Sequence, residues 1–326
     1  MQLNDNIIGI FGGTGFIGTS FANQLVANGA RVRVYTRNLD KSQKVSTLPG
    51  VEQRLYDPTS PDSINDITAD VDTLVNLVGI LNERGDNGKG FRRVHVDLTE
   101  RLLAACRQNQ IARFVYLSAL QADPFANSYY LRTKGEAEQL IRNATATTGL
   151  ISHIVRPSVV FGPGDDFTNR FATLIRLMPG FFPLASTESK FQPIYLHNLI
   201  EFLIALVANP DLRSARHDVG GPDVVSLGEI VTLIAKVMNK RLHVIALPNA
   251  IAKLQANILE YVPGKPLSRD NLRSLQNDSV VVGTNALDEF GIAKSSMAAI
   301  LPSYLGTDTP QLRRDSWRTG VKRNQS

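Results

Sequence analysis

Short apolar runs alternate with longer helical periodicities along the first half of the chain. Residues 7–11 form a continuous apolar run that predicts a strand. A glycine-rich turn follows, then Phe21, Leu25 and Val26 spaced along one helix face, with Asn28-Gly29 as the stop. Residues 31–36 alternate valine with polar positions and predict a second strand; residues 51–56 predict a third. Residues 71–78, almost wholly apolar, read as a fourth strand buried on both faces. A polar loop over 81–90 leads to a helix around 94–106, and a fifth strand covers 113–117. A helix from about Tyr130 to Ala144 separates it from a sixth strand at 152–155. Six strands with interposed helices predict an α/β fold, a doubly wound parallel sheet of the Rossmann type, over residues 1–162.

Beyond Gly162 the rhythm changes. Helical patterns cover 167–177, 196–208, 227–238 and 249–259, with short strands at 191–195, 217–219 and 243–247 between them. This predicts a smaller, mainly helical C-terminal lobe over 163–310, partly interleaved with the first domain and forming one wall of a cleft. Phe171, Phe181, Phe182 and Gln192 would give that wall an apolar character without specifying its occupant.

Composition narrows the class. With 43% hydrophobic and 20% charged residues, the 326-residue chain reads as globular. One cysteine, Cys106, excludes an internal disulfide framework, and its place in a helical pattern marks it as a packed thiol. The longest apolar runs fall short of the ~18 residues a membrane span needs. No targeting pattern precedes the first strand, so a cytoplasmic location is expected. Much of the net charge of +5 sits in a tail over 311–326, where Arg313, Arg314, Arg318, Lys322 and Arg323 face a single Asp315 and surround Trp317. The plain reading is a solvated terminus. The sharper one is an acidic partner or an anionic membrane surface, at the inner face of the membrane, with Trp317 as anchor. No finger spacing, basic recognition helix or aromatic strand motif points to nucleic acid. Nor do the scattered histidines offer metal-ligand spacing.

The turn Gly12-Gly13-Thr14-Gly15-Phe16-Ile17-Gly18 carries the most chemistry. Its glycines satisfy both G-x-x-G-x-x-G and G-x-G-x-x-G between an apolar strand and a helix. Such a turn needs positive φ, backbone free of Cβ where a pyrophosphate approaches, and close helix–sheet packing. The N–H groups opening the helix then meet the phosphates. The second strand ends in Thr36-Arg37-Asn38, with no carboxylate before Asp40 and Lys41 just beyond. A carboxylate there would hydrogen-bond a ribose 2′-hydroxyl and repel a 2′-phosphate; a guanidinium can chelate the phosphate. NADP(H) is therefore favoured over NAD(H). Asp57 is placed for the adenine edge, and Val78-Gly79 for close approach to the adenosine ribose.

Tyr130 and Lys134 stand four apart at the start of the helix after strand five, on one face. An ammonium beside a phenol lowers its pKa and makes it usable as an acid–base group. With the glycine turn and the segment from Arg156 to Gly164 (Arg-Pro-Ser-Val-Val-Phe-Gly-Pro-Gly), these features resemble the extended short-chain dehydrogenase/reductase family. Within it, Tyr130-Leu131-Arg132-x-Lys134, Gly162-x-x-Asp165-x-Phe167 and Gln192-Pro193-Ile194-Tyr195 resemble the atypical branch containing the nucleotide-binding accessory subunit of respiratory complex I and its bacterial relatives. The resemblance runs from about residue 7 to 222. It implies backbone contacts from Pro157, Ser158 and Val159 to the nicotinamide end.

Departures from the pattern bear on activity. Ala119 aligns with the family's catalytic Ser or Thr, Ser118 lies one residue early, and His95 replaces an asparagine that orders water. Along a strand, adjacent side chains face opposite ways, so Ser118 points away from the Ala119 side if the strand continues. Losing one transition-state donor commonly costs about a hundredfold in rate. Two functions are expected from this: an NADP(H)-holding accessory or assembly protein linked to complex I or ubiquinone metabolism, or an active NAD(P)H-dependent reductase or epimerase/dehydratase using Tyr130, Lys134 and Ser118. Sensing of the NADPH/NADP⁺ ratio is a third.

Overall fold

The computed structural model describes residues 6–39, 45, 48–83, 85–178, 180–248, 251 and 268–306. Of the expected helix over 249–259 only Ile251 is among the described residues, and the basic tail lies outside them. Strand β1 (Ile7–Phe11) runs into helix α1 (Phe16–Ala27), followed by β2 (Arg31–Thr36), β3 (Val51–Leu55), α2 (Pro61–Ile67) and β4 (Thr73–Asn76). Next come α3 (Lys89–Arg92), a π-helical turn (Arg93–Asp97), α4 (Leu98–Gln108), β5 (Arg113–Leu117), α5 (Tyr129–Thr148) and β6 (Ile151–Pro157). The α2 helix, absent from the sequence reading, starts on Ser60, whose hydroxyl accepts the Ser63 N–H, with Pro61 at its first position.

The sheet has seven strands, all parallel, in the order β3-β2-β1-β4-β5-β6 and then β11 (Ala215–Val219). Strand order reverses between β1 and β4, and the crevice at the carboxyl ends of these two strands is where such sheets bind ligands. One sheet face packs on α1 and on α7 (Leu196–Ala208), through Phe21, Leu25, Leu199, Phe202 and Leu206; the other packs on α4 and α5, through Leu98, Leu102, Ala137 and Ile141. The α7 helix and β11, read from the sequence as parts of the second lobe, therefore belong to the layers of the main sheet. Local hydrophobic pattern identifies a strand but not its pairing partner.

The second lobe has its own core of Ile175, Phe182, Leu227, Ile230, Ile234, Met297 and Leu301. It contains β7 (Val160–Phe161), α6 (Asp166–Leu177), β8 (Phe181–Leu184), β9 (Lys190–Phe191), β10 (Ile194–Tyr195), β12 (Val225–Ser226), α8 (Leu227–Val237) and β13 (His243–Ala246). Four short helices follow: α9 (Arg269–Ser274), which packs on α5; α10 (Ala286–Glu289), whose Ala286 and Leu287 join the core of the main sheet beside β11; and α11 (Met297–Ile300) and α12 (Pro302–Leu305), whose Met297 and Leu305 close the second lobe. The single strand expected over 191–195 is split: β9 pairs with β12 and β10 with β7, broken at Gln192-Pro193, where proline has no N–H for a ladder. Among the described residues no helix is long and apolar enough to cross a membrane.

Candidate functional site

The four glycines of the turn do different work. Gly12 has φ +82°, and a Cβ there would lie 2.9 Å from the Leu77 carbonyl carbon and the Val78 nitrogen, so β1 and β4 converge too closely for a side chain. Gly13 and Gly18 are buried; a Cβ would meet Val34 at 2.7 Å or the Gly12 oxygen at 2.2 Å. Gly15 is exposed, and a Cβ on it would touch only the Gly12 oxygen, at 3.3 Å. Packing thus accounts for three glycines, while the fourth keeps the outer side of the turn clear. Gly15 is the N-cap of α1, and neither a side-chain cap nor an acidic residue occupies that helix's first turn. Backbone N–H groups there, flanked by Thr14, Phe16 and Ile17, suit a pyrophosphate.

Around the turn, β2 is followed directly by Arg37, which is exposed and close enough to Tyr56 for its charge to act on that phenol. Asp40 and Lys41 lie outside the described residues. Asp57 is exposed beyond β3; its Oδ1 accepts the Thr59 N–H at 2.8 Å and hydroxyl at 2.7 Å, bonds that hold its carboxyl below the usual range. β4 stops at Asn76, two residues earlier than expected, because the Asn76 side chain accepts the Val78 N–H at 3.0 Å and turns the chain. Val78 and Gly79 thereby leave the sheet beside Gly12. A Cβ at Gly79 would be 3.6 Å from Lys134 Nζ and 3.8 Å from His95 Nε2, so this backbone runs directly along the Tyr-Lys helix face.

Lys134 is buried. Its Nζ donates to the Leu117 carbonyl at 2.7 Å and sits 4.8 Å from the Tyr116 ring centre. Burial pulls the ammonium down to about 7, partly offset by the Glu138 carboxylate. Tyr130 is half-buried, edge-on to His95 and Phe91. The expected lowering of its pKa by Lys134 is not seen: burial instead pushes the phenol up to about 12. His95 lies in the π-helical turn with Nε2 accepting the Ile80 N–H at 3.3 Å and Nδ1 on the Thr133 hydroxyl at 2.9 Å. Because the Thr133 hydroxyl itself donates to the Tyr129 carbonyl, Nδ1 carries the proton and the ring is neutral, as burial also demands. His95 therefore anchors the backbone after Gly79.

Ser118 departs from its expected role as substitute hydroxyl. Its Oγ donates to Glu138 Oε1 at 2.5 Å, and that fully buried carboxylate also takes both arms of Arg156, Nε at 2.7 Å. Glu138 is eight residues beyond Tyr130, ~12 Å along the helix. The Ser118 proton is thus committed to a structural ion pair, and Ala119 has none to offer. Ser158 is likewise occupied: its N–H donates to the Val219 carbonyl, and its Oγ donates to the Ser279 carbonyl and accepts the Gln192 N–H. The Pro157 and Val159 carbonyls accept the Leu120 and Ile194 N–H groups. Of the three, Val159 has the backbone N–H that no bond among the described residues employs.

Sequence reasoning missed two carboxylates that shape this region. Asp270, buried in α9, accepts the Tyr129 and Tyr130 N–H groups at 2.7 and 3.0 Å and the Ser128 hydroxyl at 3.0 Å, capping the helix that carries the Tyr-Lys pair. Arg273 bridges it to Asp86 with two 2.6 Å bonds. Glu83 gathers the N–H groups of Asn87, Gly88 and Gly90 and so folds the loop before α3. Asp270 acts across 140 residues of chain, and no local signal marks it; the clustered glycines around Glu83 were the available hint.

Residues 8–217 match the model of the NAD dependent epimerase/dehydratase family. The chain is 28% identical over 294 residues, 85% of its length and 71% of the relative's, to mitochondrial NADH dehydrogenase (ubiquinone) 1 alpha subcomplex subunit 9 of Arabidopsis thaliana. It is 27% identical to the ceramide reductase of Caulobacter vibrioides, over 74% of each chain. In structure it is similar to the Thermus thermophilus UDP-glucose 4-epimerase complex with NAD, with a TM-score of 0.71 at 16% identity, covering 92% of this chain and 97% of that one.

Proposed function

The chain belongs to the NAD dependent epimerase/dehydratase family, and we propose that within it the protein is an NADP(H)-holding accessory or assembly partner of respiratory complex I, peripheral on the cytoplasmic side, rather than a fast oxidoreductase. The observation that carries this reading is the disposition of hydroxyls around Tyr130. Ala119 has none, and the Ser118 hydroxyl is bound to Glu138. The name of the Arabidopsis relative, a subunit of NADH dehydrogenase, supports the same reading. In it the glycine turn and the α1 N-terminus hold the pyrophosphate, Lys134 and Tyr130 face the nicotinamide ribose, and the Val159 N–H meets the carboxamide end. A bound nicotinamide would supply or accept a hydride; here its first consequence is stability, since a ligand at a hundredfold excess over its Kd adds ~2.7 kcal/mol. Preference for NADP(H) over NAD(H) rests on Arg37, exposed at the end of β2 with no carboxylate on Thr36 to Leu39.

A second reading, an NAD(P)H-dependent reductase or epimerase, is favoured by the survival of Tyr130 and Lys134 on one helix face and by the likeness to a ceramide reductase. Replacing Tyr130 with Phe separates the two. The accessory reading expects complex I assembly and activity in the cell to be unchanged in Tyr130→Phe; loss of cellular function with intact folding and cofactor binding would make the protein an enzyme.

A further inference from the structure

The far end of the second lobe carries a surface that the cofactor site does not use. Helices α6 and α8 both end there, because α6 leads into β8 and α8 into β13, and these two strands pair in parallel with His243 opposite Phe181 and Ile245 opposite Pro183. Paired residues of a parallel ladder share a sheet face. Phe182, Leu184 and Val244 belong to the lobe's core, which turns Phe181, Pro183, His243 and Ile245 outward. Phe181 is 59% exposed and Ile245 47%; Leu177, in the last turn of α6, is 75% exposed and Met178 follows it.

Cations predominate in the segments that carry this apolar face, while Glu188 and Glu229 lie just beyond them, around a hollow with Val244 and Ala246 on the opposite side of β13. Residues 167–187 and 230–248 contain no Asp or Glu, whereas Arg176, Lys236, Lys240 and Arg241 fall within them, all exposed. Cations in the last turn of a helix compensate its dipole, which accounts for Arg176 and Lys236. It does not account for Lys240 and Arg241 beyond the helix, nor for bulky apolar side chains left in water beside them. Apolar and aromatic groups on a face whose own segments carry cations and no carboxylate are complementary to a bilayer interface of anionic lipid, where the first enter the headgroup region and the second meet phosphate.

We infer that this end of the second lobe, formed by Leu177, Met178, Phe181 and Ile245 with Arg176, Lys240 and Arg241, is a docking face for an anionic membrane surface. The inference is independent of cofactor binding and of the basic tail.

The test is co-sedimentation of the full chain with vesicles of phosphatidylcholine alone or mixed with phosphatidylglycerol. The wild type is expected to sediment with the anionic vesicles only, and less as salt approaches ~0.15 M. Leu177→Asp/Phe181→Asp should lower the partition coefficient by about tenfold or more. Arg176→Gln/Lys240→Gln/Arg241→Gln should weaken binding and flatten its salt dependence; this triple variant alters exposed charges alone and keeps the test decisive if the apolar variant fails to fold. A full-length variant with the tail cations Arg313, Arg314, Arg318, Lys322 and Arg323 changed to Gln should still bind. The inference is overturned if the wild type ignores anionic vesicles, as a face built for an acidic protein would. It is also overturned if folded lobe variants bind like the wild type, or if only the tail variant loses binding.

Discussion

Gly15→Ala and Gly18→Ala are chemically identical changes three residues apart, and the structure assigns them opposite consequences. At Gly18 the new Cβ would lie 2.2 Å from the Gly12 oxygen and 2.6 Å from the Gly13 Cα, both backbone atoms that cannot rotate away. Overpacking of this kind costs about 1–3 kcal/mol or more. At Gly15, φ −80° and ψ 178° are open to alanine, and the one neighbour is the Gly12 oxygen at 3.3 Å. Folding should change by no more than ~1 kcal/mol. On the proposed reading the methyl instead stands where the phosphates would approach, and an affinity weaker by about a hundredfold is expected. At a nucleotide concentration of 100 times the wild-type Kd, the wild type gains ~2.7 kcal/mol and the variant only ~0.4 kcal/mol. With an unfolding entropy of about 2.1 cal/mol/K per residue, those gains correspond to a rise in Tm of ~4 °C against less than ~1 °C. Thermal unfolding with and without NADPH reads both quantities. A Gly15→Ala protein that gains as much Tm from NADPH as the wild type would refute the placement of the pyrophosphate; one as unstable as Gly18→Ala would refute the division of labour among the glycines.

Three further outcomes are expected. Arg37→Asp should weaken NADPH binding by about tenfold or more and raise the relative affinity for NADH, since a carboxylate repels a 2′-phosphate; an unchanged NADPH/NADH ratio by calorimetric titration would discard the preference. Arg156→Met leaves the Glu138 carboxylate buried without its main partner, and urea unfolding should show a loss of about 3–5 kcal/mol; a loss under ~1 kcal/mol would mean the pair contributes little. His153 and His217, in contact at 3.2 Å, are held neutral by burial, with pKa values pulled to about 3 and about 4. The unfolded chain takes up these protons below its ordinary 6.5 while the folded chain refuses them, so stability should fall as pH drops from 6.5 toward 3. His153→Gln/His217→Gln should flatten that decline in denaturation curves, and an unaltered slope would assign acid lability elsewhere.

The parts of the fold that were legible in the sequence are those encoded locally. An apolar strand, a glycine turn and a helix with a periodic face define β1-turn-α1 without reference to anything distant, and β2, β5 and α5 were recognisable in the same way. What escaped depends on long-range pairing. β11 reads as a short strand anywhere, and only its ladder with β6 makes it the seventh strand of the main sheet. Ser118 looked like a spare hydroxyl because nothing nearby in sequence reveals that Glu138 and Arg156 meet it in the interior. The helix cap from Asp270 comes from the opposite end of the chain. In the site itself, residue types at the glycine turn and at Tyr130-Lys134 were legible, whereas their protonation was not. Proximity of an ammonium to a phenol suggests a lowered pKa; the burial of both groups reverses it for Tyr130.

The central claim is that the turn between β1 and α1 holds a nicotinamide dinucleotide, and it is tested most directly on the protein as purified. Denaturing it, separating the released small molecules and identifying them by mass and absorbance should yield NADP⁺ or NADPH in about equimolar amount, or, for an empty preparation, tight uptake of NADPH on titration. A preparation that contains no nucleotide and binds neither NADPH nor NADH would contradict the account.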